Sequence, residues 1–207
     1  MLASGLSRAT IGRVSQPQGI RTDATAAGKS AGSRLTTQQL CVIGATGALS
    51  FLLMLLQLPT PFADFLKYEP SDVPPALCAI AMGPLAGFLT VLLRGLLRLM
   101  TSVRDPLGLL MNIAASGTFV VITGFLAGPA SGRLVQLRAL AAATVAMTLL
   151  MVPVNYLVLS AAGYVPHGEV ATFVCFAIVP FNLLKGVTNA VLVLLSWGRL
   201  KHGLGFR

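Results

Sequence analysis

Residues 73–93 read VPPALCAIAMGPLAGFLTVLL and contain no charged side chain. A helix that crosses the ~30 Å hydrocarbon core of a bilayer needs about 20 predominantly apolar residues. The pair Gly83-Pro84 lies in the middle of this stretch, and a proline cannot continue the hydrogen-bond ladder of a preceding helix. We therefore predict two membrane helices, at 72–83 and 84–101, with a single long, broken helix as the alternative.

The rest of the chain has the same apolar character. Only 10% of the 207 residues are charged and 55% are hydrophobic, whereas a soluble domain carries roughly 25% charged residues because its surface faces water. This composition excludes an ordinary water-soluble domain. It predicts an all-α membrane protein, a compact bundle of six transmembrane helices, whose other four spans are 38–58, 106–127, 136–160 and 173–198.

The N-terminal region, residues 1–37, has a different composition. It is rich in Ser, Thr, Ala and Gly, carries five basic residues against one acid, and lacks the continuous apolar stretch of a secretory signal peptide. An organelle transit peptide is one interpretation. We favour a disordered basic cytoplasmic tail held near anionic lipid headgroups. The membrane domain then covers 38–200, and 201–207 form a short basic C-terminal tail.

The basic residues also predict the orientation in the membrane. With the N-terminus inside, most of the 15 Lys and Arg residues fall in cytoplasmic segments, while most of the acids fall outside or at the outer boundary. Cytoplasmic loops of membrane proteins carry an excess of Lys and Arg. Both termini are therefore predicted to be cytoplasmic, and the two longer connections, 59–71 and 161–172, to lie together on the outer side. This distribution also explains the net charge of +9 without a nucleic-acid partner.

Lys185 is the least expected residue of the last span. A Lys or Arg at mid-span costs about 2.5–3.5 kcal/mol on insertion scales, so it needs a local reason. Asn182 lies three residues earlier and shares its helix face, and together the two side chains offer donors to a buried ligand. Snorkelling to the interface and pairing with a structural acid are the alternatives. Because we expect no acid in the inner half of these helices, we favour contact with a ligand.

Two further asparagines lie within predicted spans, Asn112 in the fourth and Asn155 in the fifth. Taken singly, each could contact a ligand or hydrogen-bond a neighbouring helix. Since the fourth, fifth and sixth spans each carry one asparagine, we predict a shared polar pocket that opens outward. Convergent polar groups in an apolar cavity are typical of small-molecule sites.

The loop at 59–70 is the second candidate for ligand contact. It places three aromatic residues, Phe62, Phe65 and Tyr68, between prolines. Such a stiff, partly apolar segment could close over a flat ring, or its aromatic side chains could be ordinary interfacial anchors.

The residues after this loop predict a helix start. Ser71 can cap the helix, Asp72 favours the positive end of its dipole, and two prolines then fall in the first turn. Arg94 and Arg98 lie one turn apart in the third span. We expect them to have a structural role, in contact with acids such as Asp72 or Asp105 or reaching towards the interface.

The first span has a face of small residues that includes Gly44 and Ala48, spaced by four. Such faces allow another helix to approach closely. Whether that helix is internal or belongs to a partner is left open by the pattern.

Motifs for catalysis are missing. No G-x-x-x-x-G-K-[ST] sequence is present, so the chain cannot be its own ATPase. The two histidines are distant from each other, which does not support a zinc site or a His-centred triad. We predict no catalytic residue, no metal and no cofactor, and thus a protein that is not an enzyme.

Four stretches resemble one family of membrane proteins. They are FLLMLLQLPTP at 51–61, FLKYEPSDVP at 65–74, GPLAG at 83–87 and PFNLLKG at 180–186. They resemble the riboflavin-specific S component, the substrate-binding membrane subunit, of energy-coupling factor (ECF) transporters. The similarity runs in order from about residue 40 to residue 200, and the second and fourth stretches are its most specific parts.

This resemblance implies a six-helix fold with a riboflavin pocket between the outer loop after the first helix and the outer halves of helices four to six. Asn182 and Lys185 match family residues that hydrogen-bond the isoalloxazine ring. The residues around Asn112 resemble the family's motif less closely. The implied substrate-binding residues are Asn112, Asn155, Asn182 and Lys185 in the helices and Leu66, Lys67 and Tyr68 in the loop.

The resemblance also implies partners. The family docks a transmembrane coupling protein on small residues of its first helix, and that protein sits on two ATP-binding subunits. Gly44 and Ala48 would serve here, although the family usually has alanines, and the long basic N-terminal tail is untypical. The implied function is capture of riboflavin from outside a prokaryotic plasma membrane for delivery inward. An S component for thiamin or biotin, or a membrane scaffold without a small ligand, are the alternatives.

Overall fold

The computed structural model describes residues 36–63, 66–101, 106–162, 165, 166 and 168–203, so the predicted N-terminal tail lies almost wholly outside the described residues. The chain is mostly helical. Its helices are α1 (Thr37–Met54), α2 (Val73–Met82), α3 (Pro84–Thr101), α4 (Pro106–Leu126), α5 (Arg133–Ala162), α6 (Val170–Phe173) and α7 (Val179–Gly203). A π-helical turn, Val174–Ile178, joins α6 and α7 into one continuous run.

Two short strands lie between α1 and α2. β1 (Leu58–Pro59) and β2 (Lys67–Tyr68) pair in antiparallel fashion and form a small hairpin. The first predicted span was therefore wrong at its end, because the chain leaves the helix at Leu55. A residue before a proline disfavours helical geometry, which explains why Leu58 enters the hairpin instead.

Five helices are long and apolar enough to cross a membrane, with α6 and α7 counted as one. The remaining predicted span is α2, whose 10 residues extend only about 15 Å, half of the hydrocarbon core. The chain is thus a multi-pass membrane protein in which one short helix accompanies five candidate spans. At the C-terminus, α7 continues to Gly203, so the first residues of the predicted tail at 201–207 are helical.

The break at Gly83-Pro84 separates two helices that pack side by side. Gly83 has a φ of 95°, a left-handed conformation that glycine adopts without strain. A Cβ atom at Gly87 would lie 2.6 Å from the Cβ of Ala79 and 2.9 Å from the Pro75 carbonyl oxygen. The chain therefore reverses direction here, and the alternative of a single broken helix is wrong.

The hydrophobic core lies between α2, α4, α5 and α7, around side chains that are almost fully buried, including Ala76, Phe119, Leu140, Met147 and Val193. Large aliphatic and aromatic side chains cover the outside of the bundle; Phe176, for example, is 79% exposed. A bilayer, in which exposed apolar side chains carry no hydration penalty, explains this surface.

The two longer connections meet at one end of the bundle. Leu66, from the first, and Val165, from the second, pack against the same cluster of Leu159, Val170, Val174 and Ile178. Both connections therefore lie at the same end of the bundle, as predicted, while the prediction that this end faces outward stays a prediction. At the other end, a Cβ atom on Gly198 of α7 would lie 3.8 Å from the Arg133 guanidinium at the start of α5.

Candidate functional site

Asp72 is the centre of a buried polar network. It ends the 3-10 turn Pro70–Asp72 that leads into α2, and its residue is 0% exposed. A buried carboxylate has to be fully paired, because an isolated charge is very costly to bury. Its four partners are Arg94 Nη1 at 2.8 Å, Ser116 Oγ at 2.5 Å, Asn189 Nδ2 at 3.0 Å and Lys185 Nζ at 3.2 Å.

A second carboxylate, Glu69, extends the network towards the loop. It accepts hydrogen bonds from Gln57 Nε2 at 3.1 Å and from Asn112 Nδ2 at 3.3 Å. The Asn112 amide oxygen in turn accepts from Lys185 Nζ at 3.3 Å and lies 2.9 Å from Ser116 Oγ, whose one hydroxyl proton it shares with Asp72. Burial raises the pKa of Glu69 above its ordinary value, and the positive charge of Lys185 opposes that shift. Asn112 thus links the second carboxylate to the buried ammonium.

The expectation that no acid would be near Lys185 was wrong. Asp72, which we expected at the outer boundary, lies inside the bundle because the turn before α2 packs among the helices, where Ser71 is also 0% exposed. Lys185 therefore has the structural acid that we considered as an alternative. An ammonium group has three N–H donors, and Asp72 and Asn112 account for two of them. Contact between Lys185 and a ligand stays a prediction.

Ser71 does not cap α2 with its side chain, contrary to the prediction, whereas Asp72 does lie at the N-cap position of α2, at the positive end of the helix dipole. The Ser71 hydroxyl accepts a hydrogen bond from Arg94 Nη1 at 2.9 Å, and its carbonyl accepts one from Ser50 Oγ at 2.5 Å. The two prolines do occupy the first turn. The expected contact between Arg94 and Asp72 is confirmed, while Asp105 lies outside the described residues.

The described residues of the loop at 59–70 lie against the helices, while Phe65, one of its three aromatic residues, lies outside the described residues. The Thr60 hydroxyl donates to the Leu66 carbonyl across the hairpin. The Phe62 ring packs edge-on against Phe181 of α7, with ring centroids 6.4 Å apart. Leu66 belongs to the apolar cluster at the ends of α5 and α6. These contacts place the described part of the loop over one end of the bundle, where we predict the ligand pocket.

Tyr68 and Lys67 point in opposite directions, as neighbours in a strand do. Tyr68 is only 9% exposed, and its hydroxyl donates to Asn189 Oδ1 at 2.9 Å. Lys67 is exposed, and its ammonium donates to Gln57 Oε1 at 3.3 Å. Tyr68 is thus connected through Asn189 to Asp72, whereas Lys67 lies on the outer surface of the loop.

Asn155 and Asn182 are buried but make different contacts. Asn155 Nδ2 donates to the Met151 carbonyl and Asn182 Nδ2 to the Ile178 carbonyl, each at 2.8 Å and within its own helix. The structure therefore connects Lys185, Asn112 and Tyr68 in one network. The contacts of Asn155 and Asn182 leave part of their amide hydrogen-bonding capacity for another group.

Several members of the network were missed as site residues: Asp72, Glu69, Ser116 and Asn189. The sequence did contain a signal for two of them. Asn189 lies four residues after Lys185, and Ser116 lies four residues after Asn112, so each pair shares a helix face. Among the described residues, no group of three or more His, Cys, Asp or Glu side chains could hold a metal ion.

The small-residue face of α1 divides into an inner and an outer part. Gly47 packs inward, since a Cβ atom there would lie 2.6 Å from Leu93 Cδ2. A Cβ atom at Gly44 would meet nothing within 4 Å in the described chain, and Ala48 is exposed. The sequence left open whether this face packs against a helix of the same chain or against a partner. Gly47 packs against a helix of the same chain, while Gly44 and Ala48 are not covered by the described residues.

The fold and the site define a class of protein. Residues 38–196 match the family described as the substrate-specific component of ECF transporters, and the chain belongs to this family. The solved S component of a bacterial ECF transporter has a similar fold, with a TM-score of 0.71 and 28% sequence identity. The match covers 81% of this chain and 97% of that one.

Individual relatives are named as riboflavin transporters. FmnP from Bacillus subtilis (strain 168) is 31% identical over 178 residues, which cover 81% of this chain and 94% of FmnP. RibU from Staphylococcus aureus (strain TCH60) is 28% identical, with 81% and 92% covered. RibU from Streptococcus thermophilus (strain ATCC BAA-250 / LMG 18311) is 30% identical, with 80% and 83% covered.

Proposed function

We propose that this protein binds riboflavin from the outer side of a prokaryotic plasma membrane, as the substrate-capture subunit of an ATP-driven ECF transporter. Three relatives with this substrate in their names support the choice of ligand. The observation that carries the proposal is the buried Lys185, held by Asp72 and Asn112 beneath a loop that closes over it. Binding and release, without covalent chemistry, are its whole activity.

The pocket follows from the geometry of the donors. Lys185 has a third N–H, the amide of Asn182 lies three residues earlier on the same helix, α7, and the amide of Asn155 lies on α5, which packs against α7. The flat isoalloxazine ring carries carbonyl oxygens and ring nitrogens that accept such hydrogen bonds. Leu66 and Tyr68 now pack against the helices, so the loop has to move to admit the ring and then covers it. Lys67, on the loop surface, contacts the solvent-facing end of the ligand.

Delivery of riboflavin across the membrane needs partner proteins and two conformational states of this protein that differ in their affinity for riboflavin. A ligand that bound the outward and inward states with equal affinity would not change the equilibrium between these two states. A transmembrane coupling protein docks on Gly44 and Ala48, and two ATP-binding subunits below it drive reorientation. Six membrane helices with both termini in the cytoplasm place the loop outside. Gly44, where a Cβ atom would meet nothing within 4 Å in the described chain, and the exposed Ala48 support this docking site on α1.

Riboflavin titration of the purified protein tests the proposal. Lys185→Ala and Asn182→Ala each remove a donor to the ring, and loss of such a bond costs about 1–3 kcal/mol, a roughly 5- to 150-fold weaker affinity. Quenching of flavin fluorescence measures the dissociation constant. Val187→Ala, on the same helix but 56% exposed, is the matched control and should bind normally.

Two outcomes would overturn the choice of ligand. The first is equal riboflavin affinity in all three variants and the parent protein. The second is competition by excess thiamin or biotin together with no saturable flavin binding. If the variants instead changed partner association and left riboflavin uptake untouched, the chain would act as a scaffold.

A further inference from the structure

A cavity lies at the end of the bundle opposite the loop between α1 and α2. Its volume is about 540 Å³, and it lies between the start of α5 and the last turns of α7. Pockets for small molecules occupy roughly 300–1,000 Å³, so a small molecule or the headgroup of a larger one can fit into this cavity. Its polar lining comes from Arg133, Arg199, Gln136 and Ser131. None of the residues predicted to bind riboflavin lines this cavity.

The lining favours an anion. Arg133 and Arg199 are both exposed side chains at this end, and arginine presents a planar fork of donors that matches phosphate oxygens. Arg133 is also the first residue of the 30-residue α5, where free backbone N–H groups and the helix dipole add positive potential. Gln136 is 2% exposed and donates to the Ser131 carbonyl at 3.2 Å, which holds the turn before α5 in place.

Trp197 provides an independent observation. It lines the cavity, is 3% exposed, and its indole Nε1–H has no hydrogen-bond partner within the part of the chain that the structure describes. Buried donors are nearly always paired, since an unpaired one loses the hydrogen bond that it had with water. An acceptor atom of a molecule bound in the cavity would complete the pairing of this group.

An apolar groove continues from the cavity along the outside of the helices. It is lined by Leu134, Leu137 and Leu194 together with Arg133, so the two hollows share Arg133 and Leu194. The start of α5 and the residues near Leu200 are also the ends of two candidate membrane spans. A charged hollow at a span boundary that leads into an apolar groove matches a molecule with an anionic head and a hydrocarbon tail.

We propose that this cavity binds one anionic phospholipid, with its phosphate between the guanidinium groups of Arg133 and Arg199 and an acyl chain along Leu134, Leu137 and Leu194. The headgroup places an oxygen within reach of the Trp197 indole N–H. The proposal does not depend on the identity of the transported substrate, because it uses none of the residues of the riboflavin site.

Trp197 is the only tryptophan of the chain, so its fluorescence reports on the site directly. The experiment compares quenching by phosphatidylglycerol and by phosphatidylcholine with brominated acyl chains, in mixed micelles with the full-length protein. We expect phosphatidylglycerol to quench at a lower mole fraction. The double variant Arg133→Gln/Arg199→Gln should lose this preference, by about fivefold or more, since one cation near an anionic lipid surface changes binding by roughly that factor.

Arg138→Gln is the matched control, because Arg138 is an exposed arginine of the same helix that does not line the cavity; it should keep the preference. Trp197→Phe, read by native mass spectrometry, should retain less phosphatidylglycerol because it lacks the N–H donor. Equal quenching by the two lipids would overturn the proposal, as would equal losses in Arg138→Gln and the double variant. An emission shift with inorganic phosphate that matches the lipid effect would assign the cavity to a soluble anion instead.

Discussion

At the scale of single residues, the arrangement around Asp72 explains how charged side chains persist inside the bundle. Its carboxylate contacts both Arg94 and Lys185, whose side chains are 1% and 7% exposed. Ser116 and Asn189 supply two further hydrogen bonds. One carboxylate thereby holds together α2, α3, α4 and α7, and it fixes the position of the ammonium that we propose for ligand binding.

Asp72→Asn tests this arrangement. The change keeps the shape of the side chain but leaves two buried cations without their counter-charge, which typically costs about 3–5 kcal/mol. We expect a clear fall in the unfolding midpoint of the detergent-solubilised protein, followed by circular dichroism, together with weaker riboflavin binding. Arg98→Gln, a partly exposed arginine one turn from Arg94, is the control and should change the midpoint little. Equal midpoints for Asp72→Asn and the parent protein would contradict the central role of Asp72.

At the scale of elements, close approach of backbones shapes the half-length helix α2. Gly87 of α3 lies against Pro75 and Ala79 of α2, and a Cβ atom there would also come within 2.6 Å of Val120 on α4. Three helices therefore meet at a residue without a side chain. Close packing of this kind holds the short helix α2 against α3 and α4 inside the bundle.

Gly87→Ala should destabilise the protein. The added methyl group would overlap the Pro75 carbonyl oxygen, a backbone atom that cannot turn away, and overpacking of this kind typically costs about 1–3 kcal/mol. Gly44→Ala makes the same chemical change where nothing lies within 4 Å in the described chain, so it should be neutral or slightly stabilising. Unfolding midpoints of the two variants measure the difference. A larger loss for Gly44→Ala would show that the helix contacts differ from those described.

At the scale of the whole molecule, the two ends of the bundle differ in their charge and in the segments that pack over them. One end carries the closed loop and the cluster around Leu159, with Glu69 and Asp72 below it. The other carries the exposed arginines Arg133 and Arg199. An asymmetry of this kind determines orientation during insertion, because basic residues are retained in the cytoplasm.

Cysteine labelling tests the orientation. In a background without Cys41, Cys78 and Cys175, Lys67→Cys on the loop should react with a membrane-impermeant maleimide in intact cells. Arg138→Cys, at the opposite end and also exposed, should react only after the membrane is permeabilised. The reverse pattern would invert the proposed topology and place the loop in the cytoplasm.

Docking of the coupling protein has its own test. Ala48→Leu adds a bulky side chain to the uncovered face of α1, so co-purification with the coupling protein should fall sharply while riboflavin affinity stays unchanged. Ala141→Leu makes the same change at an exposed position of α5 and should leave the complex intact. If Ala48→Leu had no effect on co-purification, α1 would not be the docking face.

The sequence by itself determined the helical membrane class of the fold and the break at Gly83-Pro84, because apolar run length and proline placement act locally. It also indicated Lys185 and Asn112 as unusual residues of the interior. Only the tertiary structure decided what these side chains contact. Asp72 lies 113 positions before Lys185, yet the fold brings the two within 3.2 Å. A pairing between distant segments depends on how the turn before α2 enters the bundle, and neither composition nor helix periodicity carries that information.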